Sequence, residues 1–167
     1  MVARKIVVMY NLDISIQISL MFSQTTEYAL RAVVLLASRP GTPITTDEIA
    51  KATQVPKGYL AKVMQGLVRA GTVQAQRGKH GGFTLTKPAG EITVLEVVQV
   101  VDPIRRIREC PLGLAAHGKN LCSLHRKLDL ALLSIEKAFS ETTIASLLEE
   151  PSSVKPLCAI SGIDNAA

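Results

Sequence analysis

The sequence predicts a mainly α fold with a small β-hairpin wing: a winged helix-turn-helix followed by a long C-terminal dimerisation helix. Three features carry that expectation. Two short helical patterns, TTDEIAKATQ and KGYLAKVMQGLVRAG, flank a tight turn at Val55-Pro56. An alternating stretch interrupted by glycines, TVQAQRGKHGGFTLTKP, follows at once. A broad apolar stripe then runs at helical spacing through residues 123–149. The 167 residues suffice for one domain with a real core.

Ahead of these elements, Leu12 to Leu20 alternate apolar residues with Asp13, Ser15, Gln17 and Ser19, the period of a half-buried strand. The helical pattern from Met21 is self-sufficient, so residues 1–20 read as an N-terminal extension upstream of a natural start at Met21. Asn11 and Asp13 interrupt the apolar run well short of membrane length, and no cleavage site follows, which points to a cytoplasmic protein.

Residues 21–103 form the expected DNA-binding domain. Phe22–Ser38, FSQTTEYALRAVVLLAS, reads as its first helix, opened by Ser23 or Thr25 and closed before Pro40-Gly41. Thr45 and Glu48 have capping-box spacing at the start of the next. In the third, Leu60, Val63, Met64, Leu67 and Val68 share one face, leaving Lys57, Ala61, Lys62, Gln65 and Arg69 outward before Gly71 stops the helix. Val73, Ala75 and Arg77, then Phe83 and Leu85, alternate on either side of a glycine-rich turn, which makes a hairpin wing. The candidate DNA contacts are Thr45, Thr46, Lys57, Tyr59, Ala61 and Lys62 on the helix pair, and Arg77, Lys79 and His80 at the wing tip. A net charge of +5 suits an anionic partner, and 4% aromatic residues with no Trp argue against a base-stacking platform.

After Pro88, ITVLEVVQVVDP reads as a short helix, and residues 104–122 as a cysteine-bearing sensor loop. Residues 123–149 then read as one dimerisation helix and 150–167 as a flexible tail. Leu121, Leu124, Leu128, Ala131, Ile135, Ala138 and Thr142 follow a 3,4 spacing, with Leu132 and Phe139 beside the seam. So broad a stripe calls for a second copy of the chain, and a symmetric homodimer would place two recognition helices on palindromic double-stranded DNA. The residues after the long helix are too few for a catalytic domain, and no Cys-x-x-Cys pair is present, so an enzyme is not expected. A winged protein-interaction module is the alternative outside DNA binding.

The loop has chemistry of its own. Cys110, Cys122, His117 and His125 could bind zinc or an iron–sulfur cluster, since thiolates and imidazoles suit both. Arg105, Arg106 and Arg108 precede Cys110, and positive charge raises thiol reactivity, so a reversible disulfide is a rival reading. Two inert small residues would be the bland one. Cys158 lies in the tail as a spare residue.

The runs TTEYALRAVVLLAS, GYLAKVMQGLVRAGTV, RGKHGGFTLTKPAGEITVLEVVQVVD and FSETTIASLL resemble the bacterial winged-helix repressors that include the iron–sulfur cluster regulator IscR and the nitric-oxide-sensitive repressor NsrR. The resemblance spans roughly residues 21–148 and implies a dimeric repressor, often with a cluster beside the long helix. Cys110 and Cys122 keep the outer spacing of the family's three-cysteine loop, whose middle position is here Ala116. His125 matches the histidine ligand of IscR-like members, and His117 sits beside the missing cysteine. Glu27 stands where some relatives supply an acidic ligand from the partner subunit, while Arg31 stands where others have a histidine. IscR-like members also carry a glutamate at the place of Ala61. The resemblance therefore implies a [2Fe–2S] cluster on Cys110 and Cys122, completed by Glu27 and by His117 or His125.

Overall fold

The computed structural model describes residues 22–78, 81–113 and 120–149. The alternating leader, Lys79 and His80, Ala116 and His117, and the tail with Cys158 lie outside the described residues.

Helix α1 (Gln24–Ala37) is capped by Ser23, whose hydroxyl accepts from the Thr26 N–H. It is buried along most of its length, with Ala29, Ala32 and Val33 at 0% exposure. Helices α2 (Thr46–Thr53), α3 (Lys57–Arg69) and α4 (Val94–Val101) surround it, together with strand β2 (Gly82–Leu85). The capping box forms as expected at α2: Thr45 Oγ1 accepts from the Glu48 N–H, and Glu48 accepts from the Thr45 N–H at 2.8 Å. These bonds from Thr45 hold the Glu48 carboxyl below the usual carboxylate range. The α2 helix ends at Gln54 in the left-handed conformation, φ 57°, which lets the chain reverse into α3 within two residues.

Strand β1 (Val73–Gln76) pairs antiparallel with β2, with Val73 opposite Leu85 and Ala75 opposite Phe83, the register that the alternation predicts. Ile44 adds a bridge to Phe83, so the hairpin is anchored to the loop before α2. Gly82 is required there: a Cβ on it would stand 2.7 Å from the Ile44 carbonyl.

One expected boundary changes. The run 123–149 is not a single helix: α5 (Ser123–Glu141) stops and α6 (Ile144–Glu149) begins after a break at Thr142-Thr143. Two adjacent β-branched residues favour extended backbone, and Thr142 adopts it, φ −98° and ψ 118°. Its carbonyl accepts from the Val94 N–H, and Ile144 donates to the Ile92 carbonyl, both at 2.9 Å. Hydrogen bonding and burial of Ile144 at 0% exposure favour the break over continued helix. The C-terminal helix is thereby stitched back onto the winged domain.

Helix α5 itself has two apolar sides. Leu132, Ile135 and Phe139 are half-buried on their own domain, with the Phe139 ring 5.3 Å from that of Phe22. Leu124, Leu128, Ala131 and Ala138 are exposed. The sequence places all of these in or beside one seam, but only the second group remains uncovered by the chain's own domain.

Candidate nucleic-acid interface and cysteine-bearing loop

The buried face of α3, Leu60, Val63, Met64 and Leu67, fixes the helix against the core. Lys57, Gly58, Tyr59, Lys62, Gln65 and Arg69 are left exposed, and Ala61 half-buried beside them. Two of the candidate contacts on α3 already have partners. Lys57 pairs with Asp47 at 2.5 Å, and the Tyr59 hydroxyl is hydrogen-bonded to that of Thr25 while its ring stands edge-on to Tyr28 at 5.6 Å. Tyr59 thus braces α3 against α1. Thr45 is committed to the capping box, Thr46 is half-buried in the first turn of α2, and Arg77 is exposed at the end of β1.

The described part of the loop is more ordered in its bonding than its sequence suggests. A turn closes from Cys110 to Gly113, whose N–H donates to the Cys110 carbonyl at 3.0 Å and whose φ is +61°. Cys110 is buried at 9% exposure, and Cys122 is half-buried at the N-cap of α5; both are thiols. Cys122 Sγ lies 3.4 Å from His125 Nδ1, one helical turn on. No group of three or more His, Cys, Asp or Glu side chains is assembled among the described residues. Glu27 is engaged within its own chain, ion-paired to Arg31, which also donates to the Thr53 carbonyl at the end of α2 at 3.1 Å.

Sequence reasoning missed one constellation. Arg106 binds Asp129 of α5 through two bonds of 2.6 Å each and reaches Glu136 at 3.5 Å, while the Ile107 N–H donates to Asp129 at 2.9 Å. Arg106 therefore tethers the loop to α5, and its hydrogen-bonded partners are these carboxylates. The signal was present in the sequence: Asp129 and Glu136, seven residues apart in an amphipathic helix, share a face that a nearby arginine could neutralise.

Comparison with known proteins identifies the fold and the family. The family model for Rrf2, an iron-dependent transcriptional regulator, matches residues 22–150. A protein of Aquifex aeolicus (strain VF5) described as an HTH-type transcriptional regulator is 32% identical over 132 residues, covering 77% of this chain and 92% of that one. Among solved structures, T. potens IscR aligns with a TM-score of 0.67 at 22% identity, over 81% of this chain and 91% of that chain. The global cysteine regulator CymR of B. subtilis aligns with a TM-score of 0.65 at 21% identity, over 78% and 98%. The oxidized form of Staphylococcus aureus CymR gives 0.61 at 23%, over 79% and 98%. These solved structures share the winged-helix fold with its long C-terminal helix, and the matched relatives are regulators rather than enzymes. The chain belongs to the Rrf2 family of DNA-binding transcriptional regulators.

Proposed function

We propose that the protein is a cytoplasmic, homodimeric repressor whose affinity for a palindromic operator is set at the Cys110/Cys122 loop. The N-terminal half of α3 enters the major groove, and the wing tip, with Arg77, Lys79 and His80, meets phosphate or the minor groove. The uncovered Leu124, Leu128 and Ala131 face of α5 joins the two copies. Residues 21–103 act as the DNA-binding domain, 104–122 as the sensor and 123–149 as the dimerisation segment.

The observation that carries the sensing reading is the Cys122–His125 contact at the head of α5. A sulfur and a nitrogen donor already stand side by side, and Cys110 supplies a second thiol on the same loop. This donor chemistry fits a [2Fe–2S] cluster, with Glu27 of the partner subunit and His125 or His117 completing the set. Such a cluster supplies reversible one-electron redox chemistry when bound. The chain's own contribution is mechanical: Arg106 ties the loop to the dimer helix, so a change in loop order moves α5 against the winged domain. Glu27 must exchange Arg31 for its new role, which couples the site to the end of α2. A second reading, reversible oxidation of the same two thiols, is favoured by the likeness to a regulator solved in an oxidized form.

Anaerobically purified protein separates the two. The cluster reading expects iron, sulfide and visible absorption, all lost in Cys110→Ala. The thiol reading expects no iron and a loss of two hydrogens in mass on oxidation. Finding neither would leave the loop without a sensing role. DNA docking is tested separately: Lys62→Ala or Arg77→Ala should weaken binding evenly across sequences and cut the salt slope by roughly one.

A further inference from the structure

Outward residues of α3 differ in what they have left to offer. Lys57 is ion-paired to Asp47, and Tyr59 is held by Thr25 and Tyr28. Gly58 and Ala61 carry no polar group. Lys62, Gln65 and Arg69 are exposed, and their side chains make no hydrogen bond or ion pair within the described residues. Of these three, the lysine and the arginine are cations that phosphates can satisfy, and Arg69 lies in the last turn of the helix. Gln65 is neutral and has little to gain from phosphate. Its planar amide offers one donor and one acceptor side by side, the pattern that matches adenine N6 and N7 in the major groove.

Glycine at position 58 has no explanation inside the fold. Gly58 is the second residue of α3, where part of the roughly 1 kcal/mol interior cost of glycine relative to alanine applies, and here the backbone does not need it. Its φ is not in the left-handed region, and a Cβ would meet nothing within 4 Å. What Gly58 does provide is clearance on the outer surface. Ala61, one turn before Gln65, extends that low ground along the same face. A helix so trimmed can lie close to the floor of a groove, within reach of a glutamine amide.

We infer that Gln65 is the base-reading residue of this protein, selecting adenine at one position in each operator half-site, with Gly58 and Ala61 supplying the close approach that its reach requires. The inference rests on the reading of α3 as the major-groove helix, extends its contact surface one turn beyond the N-terminal half to Gln65, on the same face as Gly58 and Ala61, and specifies what the helix recognises there. Lys62 then serves as a phosphate anchor, contributing affinity without sequence preference.

Selection from a library of randomised double-stranded DNA by the full-length wild type and by Gln65→Ala tests it. The substitution is at an exposed site and replaces glutamine with a better helix former, so folding is preserved. Wild type should enrich adenine at a symmetric pair of positions. Gln65→Ala should lose that preference and no other, with affinity for the selected site falling roughly 10- to 100-fold while non-specific affinity and salt slope stay unchanged. Gln65→Glu should move the preference toward cytosine. An identical site matrix and affinity for wild type and Gln65→Ala would overturn the assignment. A wild type that enriches no sequence at all would overturn the underlying groove-reading role of α3.

Discussion

Arg106 and Asp129 form a two-bond polar link between the cysteine-bearing loop and α5, with Nε to Oδ1 and Nη2 to Oδ2 both at 2.6 Å. The planar guanidinium matches the carboxylate edge to edge, a geometry that lysine cannot reproduce. The side chains are mostly shielded, at 23% and 16% exposure. Asp129 also accepts from the Ile107 backbone, so the clamp fixes main chain as well as side chain.

The first expected outcome is non-additivity. Arg106→Ala and Asp129→Ala should each lower the thermal midpoint, and the double variant should be little worse than either alone, because one interaction is being removed twice. Arg106→Lys should recover only part of the loss. Hydrogen exchange should find the Ile107 amide newly unprotected in Asp129→Ala. Additive effects would mean that the two residues act independently.

Acid should weaken the same link. The hydrogen bonds from Arg106 hold the Asp129 carboxyl below the usual carboxylate range, assisted by the Ile107 N–H and the Arg108 charge, and they raise the Arg106 pKa. A group whose pKa is depressed by folding contributes stability above its unfolded value, about 4 for a carboxylate. That contribution is lost as pH falls through the folded value. Glu48, lowered by Thr45, has the same sign. The urea midpoint should therefore fall between pH 5 and pH 3 in the wild type and fall less in Asp129→Asn and in Glu48→Gln. Equal slopes in all three proteins would count against both assignments.

Most of the architecture was legible in sequence because local chemistry agreed with global packing. Thr45 and Glu48 announce the start of α2, Gly71 stops α3, and Val73 through Leu85 alternate as a hairpin must. What escaped was set by tertiary contact. The break at Thr142-Thr143 depends on Ile92 and Val94, some fifty residues earlier, offering backbone partners. The division of the apolar stripe into Leu132, Ile135 and Phe139 on one side and Leu124 and Leu128 on the other depends on where Phe22 and α4 lie. At the candidate site, residue types were legible and commitments were not: Tyr59 and Glu27 read as contacts in sequence, yet one is bonded to Thr25 and the other to Arg31.

That division gives the third expectation, that dimerisation and folding can be separated on α5. Leu128 is 48% exposed, so aspartate there places a charge on the proposed seam and leaves the domain core untouched. Losing one leucine contact is worth about 1.5–3 kcal/mol, which corresponds to a dimer roughly 10- to 100-fold weaker. Light scattering at micromolar concentration should find Leu128→Asp as a folded monomer. Ile135→Asp, facing Phe22, Val98 and Ile104, should instead lose thermal stability. A wild type that is monomeric under these conditions would remove the dimer reading.

The last expectation concerns the wing. Gly82 sits where β2 crosses the Ile44 backbone, and the paired bonds there, Phe83 N–H to the Ile44 carbonyl at 2.9 Å and Ile44 N–H to the Phe83 carbonyl at 3.0 Å, fix the hairpin to the helix pair. In Gly82→Ala the new methyl would meet three backbone atoms of Ile44 at 2.7–2.9 Å. Backbone cannot rotate away as a side chain can, so the bridge must open. The cost should be about 1–3 kcal/mol, as for other overpacked sites. The three atoms nearest the new methyl are all Ile44 backbone, none of them from Leu60, Met64 or Leu67, so the core face of α3 should persist. DNA affinity should then fall through the wing alone, with sequence preference retained. A variant that keeps wild-type stability and affinity would show that the wing is not held by this crossing.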